Sequence, residues 1–291
     1  MKDFVIITDS GCDLPVDLMN EWGVQCLDLT FRFDGEEKEY GNGDIAIQEF
    51  YNRMREGATA KTAAINMDTF KNAFEAVLKE GKDVLYVGFS SGLSATYHSS
   101  TLAAEELREE YPDSKVITVD TLAASAGQGM LVWLAMDTKK KGGTIEETAA
   151  AVENHKMNLA HWFTVDDLEY LKRGGRVSPA VAFVGGLLGI KPILHVDNEG
   201  HLIKRGTVRG RKAALKELVA KYKELACCPG EAPVYICNAD CAQDVETLKS
   251  LLDEECGCDV DLVVDIGPVI GAHSGPGTIA VFFLGKTTFT C

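Results

Sequence analysis

Nothing in this 291-residue chain approaches the roughly 18 uninterrupted apolar residues of a membrane-spanning helix. The opening MKDFVIITDS holds only a short apolar run between Asp3 and Asp9, less than a signal peptide requires. Positive charge is scarce: 29 Lys and Arg stand against 44 Asp and Glu, a formal net charge of −15 at pH 7. That argues against general nucleic-acid binding and against adsorption to anionic membranes, and leaves room for a local basic patch. No C-x-x-C occurs. Cys227-Cys228 and Cys256-Gly-Cys258 have neither that spacing nor a histidine close in sequence, so no metal site is expected. The nine cysteines, odd in number and scattered, read as the reduced thiols of a cytoplasmic protein. No G-x-x-x-x-G-K-[ST] or kinase-like glycine loop is present, so no ATP or magnesium site is expected here.

What is present is an ordinary globular composition, 46% hydrophobic and 25% charged, on a chain long enough for two domains. Residues 1–155 alternate strand and helix signals. FVIIT, VQCLDLTFRF, DVLYVGF and KVITVD read as strands. Helices are expected near 14–22, 44–56, 68–81, 95–111, 125–141 and 144–156, with Asp44, Asp68 and Thr144 as candidate caps. This pattern implies βαβ units and a mainly parallel, Rossmann-like sheet, an α/β fold. Ligands of such sheets sit beyond the carboxyl ends of the strands, which would bring Asp9-Ser10 and Ser90–Ser94 near one crevice.

Residues 156–291 form the expected second α/β domain. A buried helix and a strand are expected in AVAFVGGLLGIKPILHV, which contains Gly185, Gly186, Gly189 and Pro192. A hairpin turn is expected at Asn198-Glu199-Gly200. Helix 210–225, strand PVYIC, helix 242–255, strand DVDLVVDI, a Gly/Pro loop and strand TIAVFFLG follow.

Several constellations could carry chemistry. Gly88-Phe89-Ser90-Ser91-Gly92 matches the G-x-S-x-G nucleophile elbow between a strand and a helix, with Asp265 and His273 following in the order of a hydrolase triad. The hydroxyls run on through Ser94 and Thr96, so the loop also suits an anion cradle at a helix N-terminus, or simple capping by Ser94. His273 lies among the glycines and prolines of residues 267–283, as a ligand contact or as a surface histidine in a tight turn. Leu171–Ser178, with Lys204, Arg205, Arg209, Arg211 and Lys212, forms a basic face for phosphates or an acidic partner, or a solvated surface.

Taken together, Ile7–Asp13 (ITDSGCD), Lys61-Thr62, Ser90–Thr96 (SSGLSAT), FTVDDLEYLKRGGRVS and GPVIGAHSGPGTIAVFF resemble, in order, the motifs of the DegV family, the fatty-acid-binding subunits of bacterial fatty acid kinases. The resemblance covers nearly the whole chain. It implies two α/β domains with a long-chain fatty acid between them, its tail in an apolar tunnel. Thr62 and Ser94 would bond the carboxylate, with His273 beside it and Ser91, Thr96 and Ser10 as further head-group contacts. Arg173, Arg176 and Arg205 would face a separate kinase that binds ATP and Mg and phosphorylates the carboxylate. This chain would itself catalyse nothing and hold no cofactor, and it would touch a membrane at most transiently to load lipid. The alternatives are a Ser90 hydrolase and a lipid sensor or buffer without a kinase.

Two positions depart from the family pattern. After Thr62 the family continues with serine, glutamine and proline where this chain has Ala63-Ala64-Ile65-Asn66. Ala95 replaces a glycine and would add a methyl group to a tight turn.

Overall fold

The computed structural model describes residues 2–182, 189–227 and 232–286. Strands of the first half are β1 (Phe4–Asp9), β2 (Gln25–Leu27), β3 (Thr30–Phe33), β4 (Tyr40–Gly41), β5 (Ala60–Ala63), β6 (Asp83–Gly88) and β7 (Val116–Asp120). Those of the second are β8 (Leu159–Thr164), β9 (Ile190–Val196), β10 (Leu202–Arg209), β11 (Tyr235–Asn238), β12 (Leu262–Asp265) and β13 (Ile279–Leu284).

β2-β1-β6-β7 make a wholly parallel sheet. β6 is buried at every position, as a strand covered on both faces must be. The crossovers are helical, among them Met67–Lys79 between β1 and β6 and Thr96–Glu110 between β6 and β7. The second half is built on the sheet β10-β9-β8-β13-β11-β12, antiparallel except for β11 with β12. A small antiparallel sheet, β4-β3-β5, stands apart from both and packs on helix Pro268–Ser274. One apolar core runs through both halves, joining Phe70, Phe74 and Leu85 to Phe163, Leu194 and Phe282.

The α/β fold with a parallel first sheet is as the sequence implies, and several local expectations are corrected. VQCLDLTFRF is not one strand. It breaks at Asp28-Leu29, where the Leu29 N–H donates to Ser10 Oγ (2.9 Å), and its parts join different sheets. Asp44 accepts from the Gly41 N–H (2.7 Å) and so closes the turn instead of capping the helix Ile47–Arg55. Helix Met67–Lys79 is capped by Asn66, whose side chain accepts from the Thr69 N–H, while Asp68 sits in the first turn. The expected Thr144 cap holds and is a full capping box with Glu147. Residues 268–274, expected as loop, form a helix whose first position is Pro268, where a missing N–H costs nothing. HWFT, not separated from its surroundings by the sequence reading, is most of β8.

Asn198-Glu199-Gly200 does turn the hairpin between β9 and β10, with Gly200 at φ 79°. Of the expected buried helix before β9, the described part, Pro179–Ala182, buries no residue, and Gly185 and Gly186 lie outside the described residues. No helix among the described residues is long and apolar enough to cross a membrane. Nor does any group of three or more His, Cys, Asp or Glu among them suit a metal ion; Cys228 lies outside them.

Candidate functional site

A cavity of about 430 Å³ opens beyond the carboxyl ends of β2, β6 and β7. The first half lends it Leu29, Phe89 and Leu93, and the second half Phe163, Val269 and Phe282. The loop after β6 lies along it, as the open-sheet rule implies, because strand ends in a parallel sheet leave a crevice where helices diverge.

One part of this apolar wall is polar. Alternation along β5 turns Thr62 away from the exposed Ala63, and helix Pro268–Ser274 sets His273 in its last turn. Their side chains meet with Thr62 Oγ1 2.8 Å from His273 Nε2. Arg176 completes the row: its Nη2 donates to the Leu93 carbonyl (3.0 Å), and its Nη1 donates to the Gly174 carbonyl and lies 3.5 Å from His273 Nδ1.

Guanidinium has no acceptor, so Nδ1 of His273 must accept and the ring proton sits on Nε2. Nε2–H then donates to Thr62 Oγ1, which frees the threonine proton for something in the cavity. Burial, reinforced by the charges of Arg176 and Arg173, pulls the His273 pKa down to about 4, so the ring is neutral at pH 7. Gly174 makes the approach possible: a methyl there would lie 2.2 Å from His273 Nδ1.

Ser94 also lines the cavity, its Oγ 2.9 Å from Thr96 Oγ1 and accepting from the Thr96 N–H (3.2 Å). Ser91, Ala63, Ala64 and Ala95 line its rim from exposed positions. The Ala95 backbone is right-handed (φ −71°), so its methyl causes no strain.

Two residues expected at the site stand elsewhere, and one expected elsewhere stands at the site. Thr96 is fully buried behind Ser94, outside the wall. Ser10 Oγ is taken by the Leu29 N–H and its carbonyl by Asn42. Arg176, expected on an outer face, is in the cavity wall. Arg173, on helix Glu169–Arg173, is exposed and lies over the Tyr170 ring, and Arg205 is exposed on β10. The rest of the basic face is partly neutralised, since Arg211 pairs with Asp244 and Asp166.

The hydrolase geometry is not assembled. Ser90 is fully buried, its Oγ donates to the Gly200 carbonyl (2.9 Å), and it does not line the cavity. His273 is engaged by Thr62 and Arg176, and Asp265 by Asn238 (3.0 Å). Among the cavity residues that went unread in the sequence are Ser274, whose buried Oγ has no partner among the described residues, and, second, His161. Period-2 alternation in HWFT, placing His161 and Phe163 on one face, was the signal available for the second.

The fold and this amphipathic cavity define a two-domain α/β protein of a known class. The family model described as "Uncharacterised protein, DegV family" matches residues 3–286. A DegV domain-containing protein of Clostridium perfringens is 43% identical over 288 residues, covering 99% of each chain. Among solved structures, one reported as fatty acid binding of a DegV family protein from Thermus thermophilus aligns with a TM-score of 0.88 at 32% identity, covering 98% of this chain and 100% of that one. A Thermotoga maritima protein whose structure is reported to reveal a fatty-acid-binding function aligns at 0.83 and 30%, covering 97% and 99%. The chain belongs to the DegV family.

Proposed function

We propose that this protein binds a long-chain fatty acid in the cavity and presents its carboxylate to a separate ATP-dependent kinase. The observation that carries the reading is the apolar wall interrupted by the connected Thr62–His273–Arg176 row, with Ser94 on the same cavity. Relatives reported to bind fatty acids support it. A buried methylene contributes ~0.8 kcal/mol, so a tail of about fifteen offers roughly 12 kcal/mol before the losses of ordering. The carboxylate needs partners wherever it is buried. The Thr62 and Ser94 hydroxyls donate to it, and Arg176 places a fixed positive charge close by. Phosphoryl transfer rests mainly on positioning and charge stabilisation, with ATP and Mg held by the kinase, and no catalytic group is asked of this chain. Arg173 and Arg205, exposed, face that partner.

The test is native mass spectrometry of the protein expressed in bacteria, then identification of lipid released on denaturation. An adduct of fatty-acid mass is expected; an empty protein that takes up no added fatty acid would refute the reading. A second reading, a lipid buffer without a kinase, is favoured by Ala63 and Ala64, which put methyl groups where the family has polar side chains. It predicts bound lipid but no acyl phosphate with any fatty acid kinase.

A further inference from the structure

A plain hydrocarbon tail leaves His161, a polar group in the cavity wall on a different element from the Thr62–His273–Arg176 row, unused. β8 and β13 pair antiparallel, with Phe163 opposite Ala280 and His161 opposite Phe282. All four residues line the cavity. His161 therefore stands one inward-facing position, about 7 Å along the strand, beyond Phe163. That step leads away from the end where β13 follows helix Pro268–Ser274 and its His273.

The His161 side chain is buried, 4% exposed. Its Nδ1 has no hydrogen-bond partner and is closed off beneath Gly127, where a methyl would sit 3.0 Å away, and beside the Phe282 ring. No described residue bonds the other ring nitrogen either; the neighbouring His195 bonds the His161 carbonyl (3.1 Å), not the ring. With Nδ1 closed off, Nε2 is the nitrogen left to meet a ligand. Burial and the nearby His195 hold His161 well below the usual histidine range, so the ring is neutral, with one N–H and one lone pair. Such a group suits a hydroxyl, which both donates and accepts, and does not suit a second carboxylate. A trapped water needs two to four polar partners. Phe163, Val196 and Phe282, which line the same wall, offer none, and the second space that His161 touches, beside Lys156, Asp197 and Asn198, is about 10 Å³, at or below what one water needs.

We propose that His161 sets specificity for the acyl tail, and that the cavity prefers long-chain fatty acids carrying a hydroxyl on the chain, bonded to His161 Nε2, over plain chains of equal length. The proposal rests on the fatty-acid reading above and names its substrate class.

The experiment is competition by native mass spectrometry between octadecanoic acid and a series of positional hydroxyoctadecanoic acids, on the wild type and on His161→Phe and His161→Leu. One hydroxyl position is expected to outcompete the plain acid by about fivefold, the worth of one neutral hydrogen bond. Both variants are expected to lose that preference while still loading octadecanoic acid. A wild type that takes the plain acid equally or better against every isomer overturns the proposal, whether or not the variants fold, and so does a preference that survives in either variant. Failure of every acid to bind overturns the fatty-acid reading itself and this inference with it.

Discussion

Thr62 and His273 are 211 residues apart in the chain and 2.8 Å apart in space. The ring is neutral and its Nε2 proton points at Thr62, so removing the threonine hydroxyl removes a donor without changing charge. Thr62→Val is expected to keep tail binding within a few-fold, because affinity resides in the methylenes, and to reduce acyl-phosphate formation with a fatty acid kinase by tenfold or more. Ser94→Ala is expected to do the same; equal losses in binding and in transfer would refute the orientation role. Gly174→Ala tests the same row from behind. Its methyl would collide with His273 Nδ1, so the ring must shift, at a cost of about 1–3 kcal/mol for overpacking. Chemical denaturation should show that loss, together with weaker orientation of the head group.

The helix Ile145–Lys156 shows what an element owes to its own sequence. Thr144 accepts from the Glu147 N–H (3.1 Å) and Glu147 accepts from the Thr144 N–H (2.8 Å). Thr144→Ala is expected to cost about 1 kcal/mol in urea unfolding and to leave lipid loading unchanged, since neither residue lines the cavity. The short helix Pro268–Ser274 is the opposite case. Seven residues form no stable helix alone. It is held by packing on β3, β5 and helix Ile47–Arg55. A Gly/Pro-rich string therefore reads as loop until its tertiary neighbours are known.

Across the whole molecule, Asp13 ties the halves together. Its carboxylate accepts from the Ser125 hydroxyl (2.6 Å) and from the Gly267 N–H (2.9 Å). Burial, outweighing these bonds, pushes its pKa up to about 7. The folded value lies above the unfolded value near 3.8, so its contribution is fully present below about 3.8 and is lost as pH rises through 7. His273 acts in the other direction. Its pKa of about 4 lies below the unfolded 6.5, so stability from this group is present above 6.5 and lost as pH falls toward 4. Asp13→Asn is expected to gain melting temperature relative to the wild type as pH rises from 5 to 8; a difference independent of pH would contradict this. A ligand bound only by the folded state adds stability by mass action, so stripping lipid should lower the melting temperature and added fatty acid should restore it.

The alternation of strands and helices, the turn at Asn198–Gly200 and the Thr144 cap were legible because each depends on residues close in sequence. The family motifs pointed to Thr62, Ser94 and His273, all of which line one cavity. The tertiary structure alone decided the rest. Asp44 and Asp68 had the chemistry of caps, but the backbone gave Asp44 to a turn and the cap to Asn66. Arg176 looked like surface charge in a basic loop, and packing turned it into the cavity to meet His273. His161 lay in a stretch not read as a strand, and only the pairing of β8 with β13 set it in the cavity wall. Local sequence fixes which backbone conformations are cheap. Which side chains share a cavity depends on the register between distant strands, and that register is set by burial over the whole chain.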